Sequence, residues 1–209
     1  MSNKEKKYLL ISVYLFALIF MLFGFSFAYF TARDKSQEKA LDVTSGQLHL
    51  SLEIAQKYPG KKLIPTDDTD IMKAYNNKCV DDNGSAACDA YDLIITNDSA
   101  TQDIIGNIDF TINHIKNLSY LVLDEEGNIY QDITKVPKST DDMPLGGNFI
   151  LDGAIETGTV TSRKFTLIIW LSNLNQEQND ESGGTYSASI EYSSIYGQKL
   201  SSSVSGEES

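Results

Sequence analysis

The side chains best suited to redox or metal chemistry are few in this chain: two cysteines and two histidines among 209 residues. Cys79 and Cys88 enclose the run CVDDNGSAAC, and that spacing admits three chemistries. Thiols used for redox exchange normally sit in the tighter Cys-x-x-Cys arrangement. A metal site is suggested by the neighbouring Asp81, Asp82 and Asp89, but the run lacks the calcium-loop pattern with its glycine and terminal glutamate. A disulfide closing a small surface loop around the Asn83-Gly84 turn is the favoured reading for an exported protein. His49 and His114 stand alone in sequence, and a solitary exposed histidine is far more often a surface residue than a ligand. No His-Glu-x-x-His, Gly-x-Ser-x-Gly or phosphate-cradling glycine loop occurs. Carboxylates abound, but in so acidic a chain their abundance says nothing about general acid-base work. No catalytic, cofactor-binding or metal-ligating residue is therefore expected. The eleven tyrosines suit either a sugar-binding face or the rim and core of a β-fold. Asn97-Asp-Ser and Asn117-Leu-Ser match the short glycosylation pattern.

Composition narrows the class further. The chain has 17 Lys+Arg against 29 Asp+Glu, a net charge of -12, which lacks the basic field that nucleic-acid binding requires. Hydrophobic residues make up 41% and charged residues 22%, a balance that folds rather than stays disordered. The length suits one ordinary domain plus an appendage.

The appendage is N-terminal. Lys4, Lys6 and Lys7 precede an uncharged run of 23 residues from Tyr8 to Phe30. At about 1.5 Å per residue, a helix of that length crosses a roughly 30 Å hydrocarbon layer. The lysines hold the N-terminus in the cytoplasm and send the remainder outside. Ser26-Phe27-Ala28 supplies the small residues of a signal-peptidase site, with cleavage between Ala28 and Tyr29. The rival reading is an uncleaved single-pass anchor. Cleavage would leave 14 Lys+Arg and 28 Asp+Glu, a net charge of -14, on a soluble surface that repels its copies and could hold divalent cations loosely.

Beyond residue 45 the sequence is written in period two. Leu48, Leu50, Leu52 and Ile54 alternate with polar residues, which predicts a half-buried strand with His49 on its polar face. Residues 55–90 read as a long irregular connection, with Asp67, Asp68 and Asp70 in a solvated turn. Strands follow over Tyr91–Asn97, around Ile108, Phe110 and Ile112, and in a hairpin from Leu118 to Tyr130 with Gly127-Asn128 in its turn. Residues 138–148 read as loop, with a short strand at Phe149–Leu151. Phe165–Leu171 is apolar on both faces and must be a central strand, with Trp170 half buried. Tyr186, Ala188, Ile190 and Tyr192 mark the last strand, and the serine-rich end reads as a disordered tail. The whole predicts an all-β, antiparallel β-sandwich of six to eight strands behind one N-terminal hydrophobic helix.

Three stretches together resemble the TasA, CalY and camelysin group of exported Gram-positive surface proteins. They are Gly24-Phe-Ser-Phe-Ala-Tyr-Phe-Thr-Ala32, Ser45-Gly46-Gln-Leu-His-Leu-Ser51, and Phe165–Leu171 with Asn179-Asp180 and Gly184–Ile190; Tyr91–Asn97 also fits the family's mid-chain strand. The resemblance implies a jelly-roll sandwich and export through a dedicated signal peptidase. In several members it implies a biofilm-matrix fibre, in which the mature N-terminal segment pairs as a strand with the next subunit. Carried over, that arm holds Tyr29, Phe30, Leu41 and Val43. Camelysin has also been described as a metalloprotease, but no zinc-ligand set is present here to carry that over. The anchor-length apolar run and the cysteine loop depart from the fibre formers.

The expectation is thus a non-enzymatic extracellular protein, at the cell surface or secreted. Its partners are the membrane and signal peptidase during export, then its own copies or another matrix protein. A membrane-anchored binding or adhesion module is the alternative, and a camelysin-like protease the remote one. The boundaries are 1–30 for the signal or anchor, 31–45 for the linker or arm, 46–197 for the sandwich and 198–209 for the tail. Mass analysis of the N-terminus distinguishes the first two: a new start at Tyr29 is expected of the matrix subunit, an intact Met1 of the anchored module.

Overall fold

The computed structural model describes residues 50–58, 62–98, 100–137, 143–153 and 161–207. The N-terminal apolar run, the cleavage site at Ala28 and Tyr29, the arm residues Phe30, Leu41 and Val43, and His49 lie outside them. Nine strands are described: β1 Leu50–Gln56, β2 Asp89–Asn97, β3 Gln102–Asn113, β4 Leu118–Leu123, β5 Ile129–Lys135, β6 Met143–Leu151, β7 Thr161–Leu171, β8 Thr185–Ser194 and β9 Lys199–Glu207. One helix, α1, covers Ile71–Asn76. Two antiparallel sheets stack as a jelly-roll-like sandwich, one ordered β1-β2-β7-β4-β5 and the other β6-β3-β8-β9.

The period-two segments fold as their patterns dictate. In β1, Leu50 and Leu52 are buried while Glu53 is exposed. In β8, Tyr186, Ala188, Ile190 and Tyr192 turn inward and Thr185, Ser187 and Ser189 outward. These inward faces meet in one core with Leu93, Ile95, Ile108, Phe110, Tyr120, Leu167 and Ile169. Gly127, at φ 85°, closes the β4–β5 hairpin, where the Asp124 carboxylate accepts the N–H groups of Glu126 and Asn128 at 3.0 and 2.8 Å.

The strand β7 is central, and every residue from Phe165 to Leu171 is buried. Its second face does not point at the other sheet. Ile168 and Trp170 join Leu121, Leu123 and Ala90 in a separate cluster on the outer side of the five-stranded sheet. Ile71, Cys79 and Cys88 cover that cluster, so residues 62–88 form a cap rather than a plain connection. The Cys79–Cys88 disulfide is formed inside the cap, with both residues 2–3% exposed. Asp81 organises the enclosed loop, its carboxylate accepting the N–H groups of Asn83 and Ser85. Those backbone bonds, that from Ser85 first, hold its pKa below the usual carboxylate value.

Several expectations need correction. Trp170 is fully buried, not half buried, and its indole N–H donates to Asp68 Oδ1 at 2.9 Å. Asp68 also accepts from Ser172 Oγ at 2.7 Å, so this acid of the supposed solvated turn pins the cap to β7. An indole N–H buried without a partner would cost about 1–3 kcal/mol. Residues 143–148 belong to β6, whose Gly146 and Gly147 at positive φ accompany a register shift against β3. The supposed tail forms β9, because Leu200 and Val204 turn inward against the core, and the sandwich therefore runs past 197. Neither glycosylation pattern presents a free amide: Asn97 is buried and donates to Leu151 O, and Asn117 Nδ2 donates to Glu181 Oε1 at 2.6 Å.

Because the bridge closes a short loop, Cys79→Ser is expected to lower the unfolding free energy by about 2–3 kcal/mol while leaving the sandwich folded. Urea unfolding followed by far-ultraviolet circular dichroism checks this. Two titratable thiols in protein purified without reductant would overturn the bridge itself.

Candidate functional site

At the end of the sandwich where β2 begins and β9 ends, an open groove of about 750 Å³ is walled by Gln56, Lys62, Asn113, Thr185, Ser205 and Gly206. Its floor is Asp89, which is 2% exposed. Asp89 is the first residue of β2, immediately after Cys88, so the cap's bridge fixes its backbone. The Tyr186 hydroxyl donates to Asp89 Oδ2 at 2.6 Å. Tyr91, two residues along β2, lies with its hydroxyl 3.4 Å from that of Tyr186 and donates to the Ser205 carbonyl at 3.1 Å. The cluster thus joins β2 of one sheet to β8 and β9 of the other.

Burial governs its electrostatics. Desolvation raises the Asp89 carboxyl above the usual 3.8, and the Tyr186 hydrogen bond only partly opposes it. Tyr91 is pushed up to about 12 by burial and then by the nearby Asp89 charge. Burial likewise drives Tyr186 well above its ordinary value, followed by the charge of Asp89. Space is tight: a Cβ on Gly206 would lie 2.6 Å from Asp89 Oδ2 and 2.4 Å from Tyr186 Cε1. Glycine at 206 is a packing requirement.

Such a groove can accept and donate hydrogen bonds to a neutral polar ligand. It carries one carboxyl among its described lining residues, whereas glycoside hydrolysis ordinarily uses two carboxyls flanking the bond to be broken. A second recess, of about 180 Å³, gathers Asp67, Asp70, Asp81 and Asp82 beside Lys73. There Lys73 pairs with Asp82 at 2.6 Å on an exposed surface. Among the described residues no group of three or more His, Cys, Asp or Glu is arranged to hold a metal ion. Of the sequence-derived sites, Cys79 and Cys88 are brought together. His114 sits in the left-handed region, φ 62°, just past β3. The Asp89–Tyr186–Tyr91 cluster was not expected. Its only local sign is an acid heading an apolar strand, because its partners are 95 and 97 residues apart.

No characterised family model matches the chain, and no curated protein sequence does either. Solved structures align with it at low identity and low TM-score. Spo0M, a sporulation control protein of Bacillus subtilis, aligns at 10% identity and TM-score 0.27 over 78% of this chain, which spans 49% of that protein. The CooA pilin subunit of enterotoxigenic Escherichia coli aligns at 8% identity and TM-score 0.35, covering 76% of this chain and 98% of the pilin. The CupB6 tip adhesin of Pseudomonas aeruginosa gives 11% and 0.34, with 76% and 44% covered. These scores are too low to carry function from any of the three.

The Asp89 carboxyl makes a pH prediction. Its folded-state pKa lies above the usual 3.8, so its contribution to stability is complete below that pH and is lost as the pH rises through the raised value. Asp89→Asn removes that loss. The variant is expected to gain on the wild type as the pH rises above about 4 in denaturant titrations, and a difference that stays unchanged would contradict the assignment.

Proposed function

We propose that the chain is an exported, non-enzymatic surface protein that serves as a structural subunit of an extracellular assembly, like the matrix proteins it resembles. The observation that carries this reading is the disulfide-bridged sandwich with open sheet edges, standing behind a 23-residue apolar run with basic residues before it. A disulfide suits an oxidising compartment, and an unpaired edge strand accepts an added strand from another chain. In this reading signal peptidase cuts between Ala28 and Tyr29. The freed arm, with Tyr29, Phe30, Leu41 and Val43, then lays a strand on the next copy. Head-to-tail pairing of that kind does not close on itself and therefore makes filaments.

The polar groove over Asp89 favours a second reading, a membrane-anchored module that binds a ligand at that end of the sandwich. Deleting residues 29–44 from the cleaved protein separates the two. Filaments, seen by negative-stain electron microscopy, are expected to disappear with the arm; filaments that persist unchanged would leave the arm a tether and the subunit reading without its mechanism.

A further inference from the structure

Four strands form the sheet edges among the described residues: β1 and β5 in one sheet, β6 and β9 in the other. Three carry features that discourage pairing with a copy of themselves. The centre of β1 is the exposed Glu53, which would oppose its own copy. Register shifts interrupt β5 against β4. Pro144 and a register shift interrupt β6. By contrast β9 runs unbroken from Lys199 to Glu207 against β8, without proline, bulge or mid-strand charge.

The direction of its free backbone groups follows from the ladder. Ser194 N–H donates to Gln198 O in the β8–β9 turn, which makes 194 and 198 a hydrogen-bonded pair. Alternation along an antiparallel ladder then turns the N–H and C=O groups of Leu200, Ser202, Val204 and Gly206 toward β8. Those of Lys199, Ser201, Ser203 and Ser205 point away from it. The Ser205 carbonyl agrees, since it accepts the Tyr91 hydroxyl, and its second lone pair is left for a partner strand.

The strand reads KLSSSVSGE. About its centre, Ser203, the basic first residue mirrors the acidic last one, and Ser201 mirrors Ser205. That centre is one of the residues whose backbone faces outward, as a self-paired antiparallel strand requires. We propose that β9 is a self-pairing edge through which two copies join their four-stranded sheets across a twofold axis at Ser203. In that register position 199 of each copy lies opposite 207 of the other, Ser201 opposite Ser205, and Ser203 opposite itself. Opposite charges therefore meet at both ends, and no like charges meet along the strand. Lys199 also bonds Glu191 of its own chain at 2.8 Å, and an ammonium carries three donors. The contact is isologous and closed. It uses none of residues 29–45, so it stands whether or not the arm builds filaments, and could link two filaments side by side.

The test uses the full chain in detergent. The wild type has no free cysteine, so Ser203→Cys introduces a single free thiol, and opposed residues of a hydrogen-bonded pair lie about 5.5 Å apart, within disulfide reach. Mild oxidation is expected to give covalent dimers of S203C roughly tenfold faster than of S189C, an exposed control on the neighbouring strand. In the S203C background, K199E and E207K each set like charges across the dyad and are expected to slow crosslinking roughly threefold, whereas an equimolar mixture of the two restores complementary ends in half of its pairs and is expected to recover about two thirds of the original rate. The Lys199–Glu191 pair is largely exposed, so K199E leaves the fold intact. Equal rates for S203C and S189C, or a mixture no faster than its components, would falsify the self-pairing edge.

Discussion

The structure turns on one constraint: β7 is apolar on both faces. A strand in a two-layer sandwich needs only one buried face, and the other is normally left to water. Ile168 and Trp170 remove that option. Their side of the five-stranded sheet must be covered, and the chain does so with the segment before β2. That obligation explains why α1, the disulfide and the Asp68–Trp170–Ser172 hydrogen bonds occur together. A six-residue helix has little stability of its own. It is held here because Ile71 and Ala74 are buried and because the bridge shortens the loop behind it.

The cap also serves the opposite sheet. Cys88 passes directly into Asp89, and Asp89 receives the Tyr186 hydroxyl from β8. Tyr91 then reaches the backbone of β9. A covalent loop on one outer face is thereby connected, through two tyrosine hydroxyls, to the edge strand of the far layer. The same residues form the floor of the polar groove, so groove shape and the position of β9 are coupled by packing, with Gly206 as the close contact between them.

Period two made β1, β8 and the Ile108–Ile112 part of β3 legible, because each has one inward apolar set and one outward polar set. The central place of β7 followed from its two apolar faces. What failed has physical reasons. Pro144, Gly146 and Gly147 in β6 carry the same local chemistry as a loop, and only pairing with β3 makes them a strand. The ninth strand has just two buried apolar residues, Leu200 and Val204, among serines, too few to be told from a tail without seeing the core they complete. Asp68 was read as solvated because its indole partner lies 102 residues away. For the site, the thiol pair was legible from compartment and spacing, whereas Asp89 and Tyr186 meet only after both sheets have folded.

Trp170 is the chain's one tryptophan, and it sits in the capped cluster rather than between the sheets. Indole emission therefore reports on a single event, the seating of the cap over β7, and is blind to the main core. Tyr120, Tyr186 and Tyr192 are buried in that core, whereas Tyr58 and Tyr75 pack against the capped cluster. Tyrosine emission therefore draws on both clusters and indole emission on one. Loss of the indole signal before the far-ultraviolet strand signal would mark a state in which the cap has lifted from an intact sandwich.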